Sequence, residues 1–322
     1  MADKEVMEIM KKSRVWLAFT LAAALLLGGC SAPVHTQPAD TQVPAAENSP
    51  VPEEAQWMEM VLEDNDSIRV SVTDYDPAAD LGPTFTLRLE NRTESSLYFT
   101  LNDVSVNDVM NDPLWGETVG AGQSVDSELY WFYQDLAMTG INYICEVEGI
   151  LWVYDADDFS AEDTYEDAVA WAVDNGPADV PPVEEAVFSG GIEDMELFST
   201  GEVTAIIKDY SPQGEWGPSF IIYLENSSES PVLFFMSALS INGTEHAAYW
   251  SKDVSAGKTA YSHCFFWQDD LEENEITDIR DMSFTFEAVE YDTWDVLAKV
   301  TATISLEGTG EILEKLVSGP QE

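Results

Sequence analysis

Basic residues are scarce in this chain of 322 residues, and that shortage limits its partners. The sequence holds 13 lysines and arginines against 61 acidic residues, for a formal net charge of −48. Such an anionic surface repels nucleic acid and anionic headgroups at long range, so we expect no nucleic-acid partner. A neutral or cationic ligand, or a basic protein, is electrostatically easier to bind. The simpler interpretation is that the charge only keeps the protein in solution.

Cysteine and histidine are also few, with three of each. None stands at the spacing of a metal-ligand motif, and Cys145 and Cys264 occupy non-equivalent positions, which favours two independent small buried residues over a disulfide between the copies. The sequence has no G-x-S-x-G elbow, no H-E-x-x-H helix and no phosphate-binding glycine loop. Paired carboxylates could support hydrolysis, but with so many acids no particular pair is informative. We therefore expect a protein that is not an enzyme and that has no cofactor.

The N-terminal segment is typical of an export signal. Lys11–Arg14 is basic, and the apolar run at 15–27 is shorter than the roughly 20 residues of a membrane span. The following Leu27-Gly28-Gly29-Cys30 resembles the lipobox of bacterial lipoproteins. This resemblance implies that 1–29 is removed and that Cys30 carries a lipid. Because the first nine residues include three acidic ones, which suit a signal poorly, Met10 is the better start site.

The lipobox implies a place for the protein, which is outside the cytoplasm on the outer face of the bacterial cell membrane. Residues 30–56 follow the lipidation site and are rich in Pro, Ala, Thr, Gln and Glu, with little apolar surface to bury. This composition predicts a disordered tether between the membrane and the folded part.

A duplication organises the rest of the chain. LGPTFTLRLEN at 81–91 returns as WGPSFIIYLEN at 216–226, 135 residues later. Between 74–136 and 209–271, aligned without gaps, about a third of the positions are identical, which indicates a repeated domain. The predicted boundaries are repeat 1 at 57–175, a Pro-rich linker at 176–190, repeat 2 at 191–308 and a C-terminal tail at 309–322.

Both copies carry the pattern of short strands. Apolar side chains alternate with polar ones, and turns rich in Gly, Pro, Asn and Asp recur about every ten residues. The pattern predicts an all-β fold of two tandem immunoglobulin-like antiparallel β-sandwich domains. Three asparagines match the glycosylation sequon, and we interpret them as turn residues: Asn91, Asn226 and Asn242.

These residues together resemble a known family. The shared GP-[TS]-F, LEN and [VI]-N segments, the Ala-Gly turn, and Asp292, Trp294 and Asp295 are similar to a repeat found in uncharacterised lipoproteins of Gram-positive anaerobes. The resemblance implies an extracellular immunoglobulin-like module and brings no known activity. The first copy departs from it at the D-x-W-D element.

Two candidate sites lie near the end of the first copy. Asp155, Asp157, Asp158, Glu162 and Asp163 could supply oxygen ligands to calcium, although they lack the EF-hand spacing. The alternative is a solvated acidic loop that begins a helix near 161–173, as the spacing of Tyr165, Ala168, Val169 and Ala172 indicates. Tyr165 and Trp171 are the candidate binding residues.

The aromatic segments 130–133 and 265–267 place large side chains on both faces of a strand. One face should be core; for the other we expect burial, with an exposed ligand platform as the alternative. We expect function where the copies differ, at 155–175 in the first and 243–249 in the second, with the first favoured.

The sequence thus predicts a membrane-anchored extracellular lipoprotein that acts as a non-catalytic binding or structural module of the cell envelope. Its partners would be the membrane, through the lipid anchor, and an unknown envelope protein or a neutral or cationic ligand. The alternative is an accessory enzyme, or a calcium-dependent binding module that uses the acidic loops.

Overall fold

The computed structural model describes residues 58–158, 165–173, 193–212, 216–306 and 312–318. Both copies lie in one compact unit, Glu54–Glu322. The predicted signal, Cys30, the tether and the linker at 176–190 lie outside the described residues. Among the residues that are described, no helix is both long enough and apolar enough to cross a membrane.

Strands make up most of the described chain, which confirms the all-β prediction. The elements of the first copy are β1 (Met60–Asp64), β2 (Ile68–Asp76), β3 (Thr84–Asn91), β4 (Leu97–Val106), β5 (Val109–Met110), β6 (Gly116–Val119), β7 (Ser124–Tyr130), α1 (Tyr133–Met138), β8 (Glu146–Asp155) and β9 (Tyr165–Ala172).

The second copy repeats this order. Its elements are β10 (Met195–Ser199), β11 (Val203–Ser211), β12 (Ser219–Asn226), β13 (Val232–Ile241), β14 (Thr244–His246), β15 (Ser251–Val254), β16 (Thr259–Phe265), α2 (Gln268–Glu273), β17 (Asp281–Glu290) and β18 (Val296–Leu306). One more strand, β19 (Ile312–Ser318), pairs antiparallel with β18 inside the segment predicted as a tail.

Three sheets result from the strand pairing. The order is β1-β2-β3-β7 in the first, β10-β11-β12-β16-β5-β4-β8-β9 in the second and β14-β13-β17-β18-β19 in the third, with β6 and β15 paired to β4 and β13. The second sheet runs through both copies, because β16 pairs with β5 in parallel, at Thr259↔Val109 and Ala260↔Met110. The copies are therefore joined through their backbones.

Side chains reinforce this junction between the copies. The Lys258 ammonium lies 2.6 Å from Asp108 and also contacts Glu148, while Lys252 lies 3.2 Å from Asp112. Burial alone would lower the pKa of Lys258, but its bonds to the two carboxylates outweigh that effect and raise it. Lysines of the second copy thus pair with acids of the first.

Each copy has its own hydrophobic core between two sheets. Alternate residues of β3 are buried and intermediate in turn, as period-two patterning requires. Phe85 and Leu89 from β3 pack in one cluster with Phe99 and Val153 from the opposing strands. The second cluster is built in the same way around Phe220, Leu224, Phe234, Phe284 and Phe286.

The shared asparagines hold turns, as expected. The buried Asn91 amide donates to the Ser95 and Val119 carbonyls at 2.8 and 2.9 Å, and Asn226 makes the equivalent bonds to Ser230 and Val254. Asn242 adopts a φ of 50°, and its carboxamide oxygen accepts the amides of Arg280 and Asp281. These side chains replace backbone partners that the strands cannot supply at a turn.

The predicted helix near 161–173 is wrong in its described part. Tyr165–Ala172 is strand β9, antiparallel to β8 from Val153↔Tyr165 to Glu146↔Ala172. In the second copy, β18 pairs with β17 in the same way. Through Val169 and Trp171, this segment fits the two-residue period of a strand as well as the helical period. Hydrogen bonding to the free edge of β8 favours the strand. The copies therefore differ less here than expected.

Candidate functional site

The acidic cluster proposed for calcium forms a turn after β8. The Asp157 amide donates to the Asp155 carboxylate at 2.9 Å, and the Asp158 amide donates to the Asp155 carbonyl at 3.3 Å. Glu162 and Asp163 lie outside the described residues. Within the described ranges, no group of three or more His, Cys, Asp or Glu side chains could hold a metal ion. Calcium binding stays a prediction.

Tyr165 and Trp171 both make contacts within the first copy. The Tyr165 hydroxyl donates to Glu63 of β1 at 2.6 Å, and its pKa is raised well above the ordinary value, first by burial and then by that carboxylate. Trp171 is 4% exposed and meets Phe85 edge to face, with ring centroids 5.6 Å apart. The Trp171 side chain packs in the hydrophobic core, and the hydrogen bond of Tyr165 connects β9 to β1.

A cleft of about 200 Å³ opens in the second copy. It lies where the end of β16 and the start of α2 meet the segment between β14 and β15, and so includes part of the divergent loop at 243–249. The apolar residues of its lining are Met236, Leu239, Ile241, Ala247, Ala248, Tyr249, Trp250, Cys264, Phe265, Phe266, Trp267 and Leu271. The polar ones are Glu245, His246, Asp270 and Asn274.

The floor of the cleft is rigid and apolar. The buried Trp250 donates from Nε1 to the Ser262 hydroxyl at 3.1 Å, and its ring lies 5.3 Å from that of Phe286. Phe266 is 5% exposed and meets Phe220 edge to face. Burial raises the pKa of the Cys264 thiol to about 12, so this cysteine stays protonated and contributes apolar surface. Cys145 and Cys264 are both free thiols, and the expected burial is wrong for Cys145, which is exposed.

The rim of the cleft is aromatic and acidic. Tyr249 is 76% exposed and Trp267 is 44% exposed, while Glu245 and Asp270 are exposed carboxylates. Trp216, 55% exposed, lies against Trp267 with centroids 6.1 Å apart. The expectation that both faces of segment 265–267 are buried is therefore wrong for Trp267, whose ring is only partly covered by the described residues.

The cleft lining differs from the equivalent positions of the first copy at several residues, and Phe266 is one of them. Phe266 has Trp131 as its counterpart in the first copy, where the larger indole donates to the Asn111 carbonyl at 2.8 Å. The Asn111 amide in turn bonds to the Thr139 hydroxyl at 3.3 Å. These bonds connect the loop of the first copy that contains Asn111 to Trp131 and to Thr139, the residue that follows α1. The phenyl ring of Phe266 is smaller than the indole and has no donor for such a bond.

The loop residue equivalent to Asn111 is His246. Its Nε2 atom is buried and has no hydrogen-bond partner among the described residues. The Trp131-to-Phe266 exchange was readable from the 135-residue offset, but the sequence gives no sign that it opens a cleft. Neither of the residues first favoured for binding lines this space.

The comparisons with known proteins establish no family. No family model matches the chain, and no curated protein matches it. Among solved structures, β-glucuronidase 2 of Bacteroides uniformis is 9% identical with a TM-score of 0.20, over 77% of this chain and 32% of that enzyme. The chain thus spans about a third of that enzyme's length, and a score of this size does not establish a shared fold.

Proposed function

We propose that this chain is a non-catalytic binding module of the bacterial cell envelope, held at the outer face of the membrane by a lipid on Cys30. In this proposal the second copy carries the ligand site, and the first copy and the tether present it away from the membrane. The proposal extends the sequence-based function by assigning it to one cleft.

The observation that carries the proposal is the cleft with its exposed aromatic rim. Large aromatic side chains are normally buried, yet Tyr249 and Trp267 are 76% and 44% exposed beside an apolar floor. Concave, mostly apolar sites with a few polar groups at the edge are typical of ligand binding. The rigid floor also means that little conformational entropy is lost when a ligand binds.

The test measures binding of the protein to cell walls from the bacterium that naturally produces it. These walls are first washed with detergent to remove membrane. The purified chain is sedimented with this material, and the bound fraction is compared with that of the Tyr249→Ala/Trp267→Ala variant. We expect the parent chain to sediment and the variant to stay in the supernatant, because the variant lacks both exposed aromatic rings of the rim.

The matched control is Leu114→Ala/Phe132→Ala, which alters the equivalent positions in the first copy. This variant should sediment like the parent chain. If the cleft variant and the parent are recovered equally with the wall material, the site lies elsewhere and the assignment fails.

A further inference from the structure

We propose that the cleft of the second copy recognises an organic ammonium group. This inference rests on the proposed function, since it names the ligand class of the same site. The ligand would place its cationic head between the aromatic rim and the two carboxylates, with its attached methyl or methylene groups on the apolar floor.

The aromatic rings provide the first part of the argument. Trp267 is held from the side by Trp216 and by Phe265, with centroids 6.1 Å away in each case, and it remains 44% exposed. Tyr249 also lines the cleft, and Trp250 lies beneath it. The face of an aromatic ring is its negative side, so several rings around one space attract a cation.

The charges of the rim provide the second part. Of the sixteen lining residues, Glu245 and Asp270 carry carboxylates and none is a lysine or arginine. Both acids are exposed, and neither forms an ion pair within the described part of the chain. They add a directional attraction to the general field of a protein with a net charge of −48. These charges therefore disfavour an anionic ligand.

The combination separates an ammonium group from two other ligand classes. A neutral sugar could stack on Trp267, but it would gain no charge attraction from the rim. A compact metal ion needs a full set of oxygen ligands and is strongly hydrated, so an aromatic wall suits it poorly. A large and weakly hydrated cation satisfies the rings and the carboxylates together.

The first copy shows what the cleft would be without this function. Trp131, which donates to the Asn111 carbonyl, stands at the position equivalent to Phe266. The substitution Phe266→Trp should therefore fill the cleft with the residue that the same fold already accepts, and it should do so without unfolding the domain. It is a sharper probe than removal of a rim residue.

The experiment is a calorimetric titration of the purified full chain with choline chloride, followed in parallel by tryptophan fluorescence. Choline is compared with 3,3-dimethyl-1-butanol, its neutral isostere, and with n-butylammonium, which represents a lysine-like primary amine. We expect saturable choline binding at low salt and about tenfold weaker binding of the neutral isostere. The relative affinities of choline and n-butylammonium then distinguish a methylated headgroup from an amine side chain.

Variants test the assigned residues. Trp267→Ala and Phe266→Trp should each weaken choline binding by about tenfold or more, and Asp270→Asn by about threefold. Asp269→Asn, which removes the neighbouring exposed carboxylate outside the lining, should leave binding unchanged. Thermal melting of each variant distinguishes a lost site from a lost fold.

The inference is overturned if neither choline nor n-butylammonium shows saturable binding, or if the neutral isostere or N-acetylglucosamine binds as well as the better of the two cations. It is also overturned if Phe266→Trp melts like the parent chain and still binds choline fully. Each of these results is compatible with sedimentation of the protein with cell walls that depends on Tyr249 and Trp267. The proposed function is therefore tested independently of the ligand class.

Discussion

Alanine at Gly82 is the most severe small change that the structure identifies. Gly82 has a φ of 152°, and a Cβ there would lie 1.8 Å from the carbonyl oxygen of Trp131 and 2.9 Å from its carbonyl carbon. Both neighbours are backbone atoms, so no side-chain rotation can relieve the overlap. The start of β3 would have to separate from the end of β7 by more than an ångström.

The cost can be compared with that of Gly122→Ala in the same copy. Gly122 has a φ of 64° and no heavy atom within 4 Å of its would-be Cβ, so alanine there costs only the backbone penalty of about 1 kcal/mol. Gly82→Ala adds the overlap and weakens two hydrogen bonds, Trp131 N–H to Pro83 and Tyr133 N–H to Leu81. We expect a total of about 4 kcal/mol or more.

Differential scanning calorimetry of the full chain measures the difference. For a domain near 100 residues, 1 kcal/mol shifts Tm by roughly 4–8 °C. Gly122→Ala should therefore lower the first-copy transition by about 5 °C, and Gly82→Ala should lower it by more than about 15 °C or abolish it. Gly217→Ala repeats the test in the second copy, where the Cβ would lie 2.2 Å from the Phe266 oxygen. If Gly82→Ala costs no more than Gly122→Ala, the close-contact argument is refuted.

The other predictions concern the junction, a turn and the anchor. Lys258→Met should cost about 2 kcal/mol of unfolding free energy, since Lys258 is 14% exposed, and this cost should fade as the pH rises above the lysine's ordinary pKa of 10.5. The double variant with Glu148→Gln should cost less than the sum of the two single variants, and additive costs would contradict the pairing. Lys208→Met, 16% exposed and paired with Asp194 inside the second copy, is its control and should show no coupling to Glu148→Gln. Asn242→Ala should cost about 2–4 kcal/mol in denaturant unfolding, because three hydrogen bonds to Asp278, Arg280 and Asp281 are lost. A cost no larger than that of an alanine substitution at an exposed surface residue would show that water replaces these bonds. Cys30→Ser should release the protein from membranes or leave an unprocessed precursor on immunoblots, and unchanged fractionation and maturation would disprove lipidation.

Local sequence patterns were enough to predict the turns, the duplication and most of the strands. Alternation at Phe85, Leu87 and Leu89 defines a buried face within a few residues, and the return of the pattern 135 positions later identifies its copy. Glycine at 82 and 217 and asparagine at 91 and 226 meet local conformational demands, so they too are visible in the sequence. Each of these features depends on neighbours close in the chain.

Only the tertiary structure decided the features that depend on distant neighbours. The sequence of Tyr165–Ala172 fits both a helical period and the two-residue period of a strand, and its pairing with β8 gives a strand. The parallel pairing of β16 with β5 joins segments about 150 residues apart, and no local pattern encodes that partner. The cleft is lined by Tyr249, Phe266 and Trp267, which come from separate segments of the second copy. Such a volume depends on how separate elements pack around it, because side-chain packing is a property of the assembled fold and not of a sequence period.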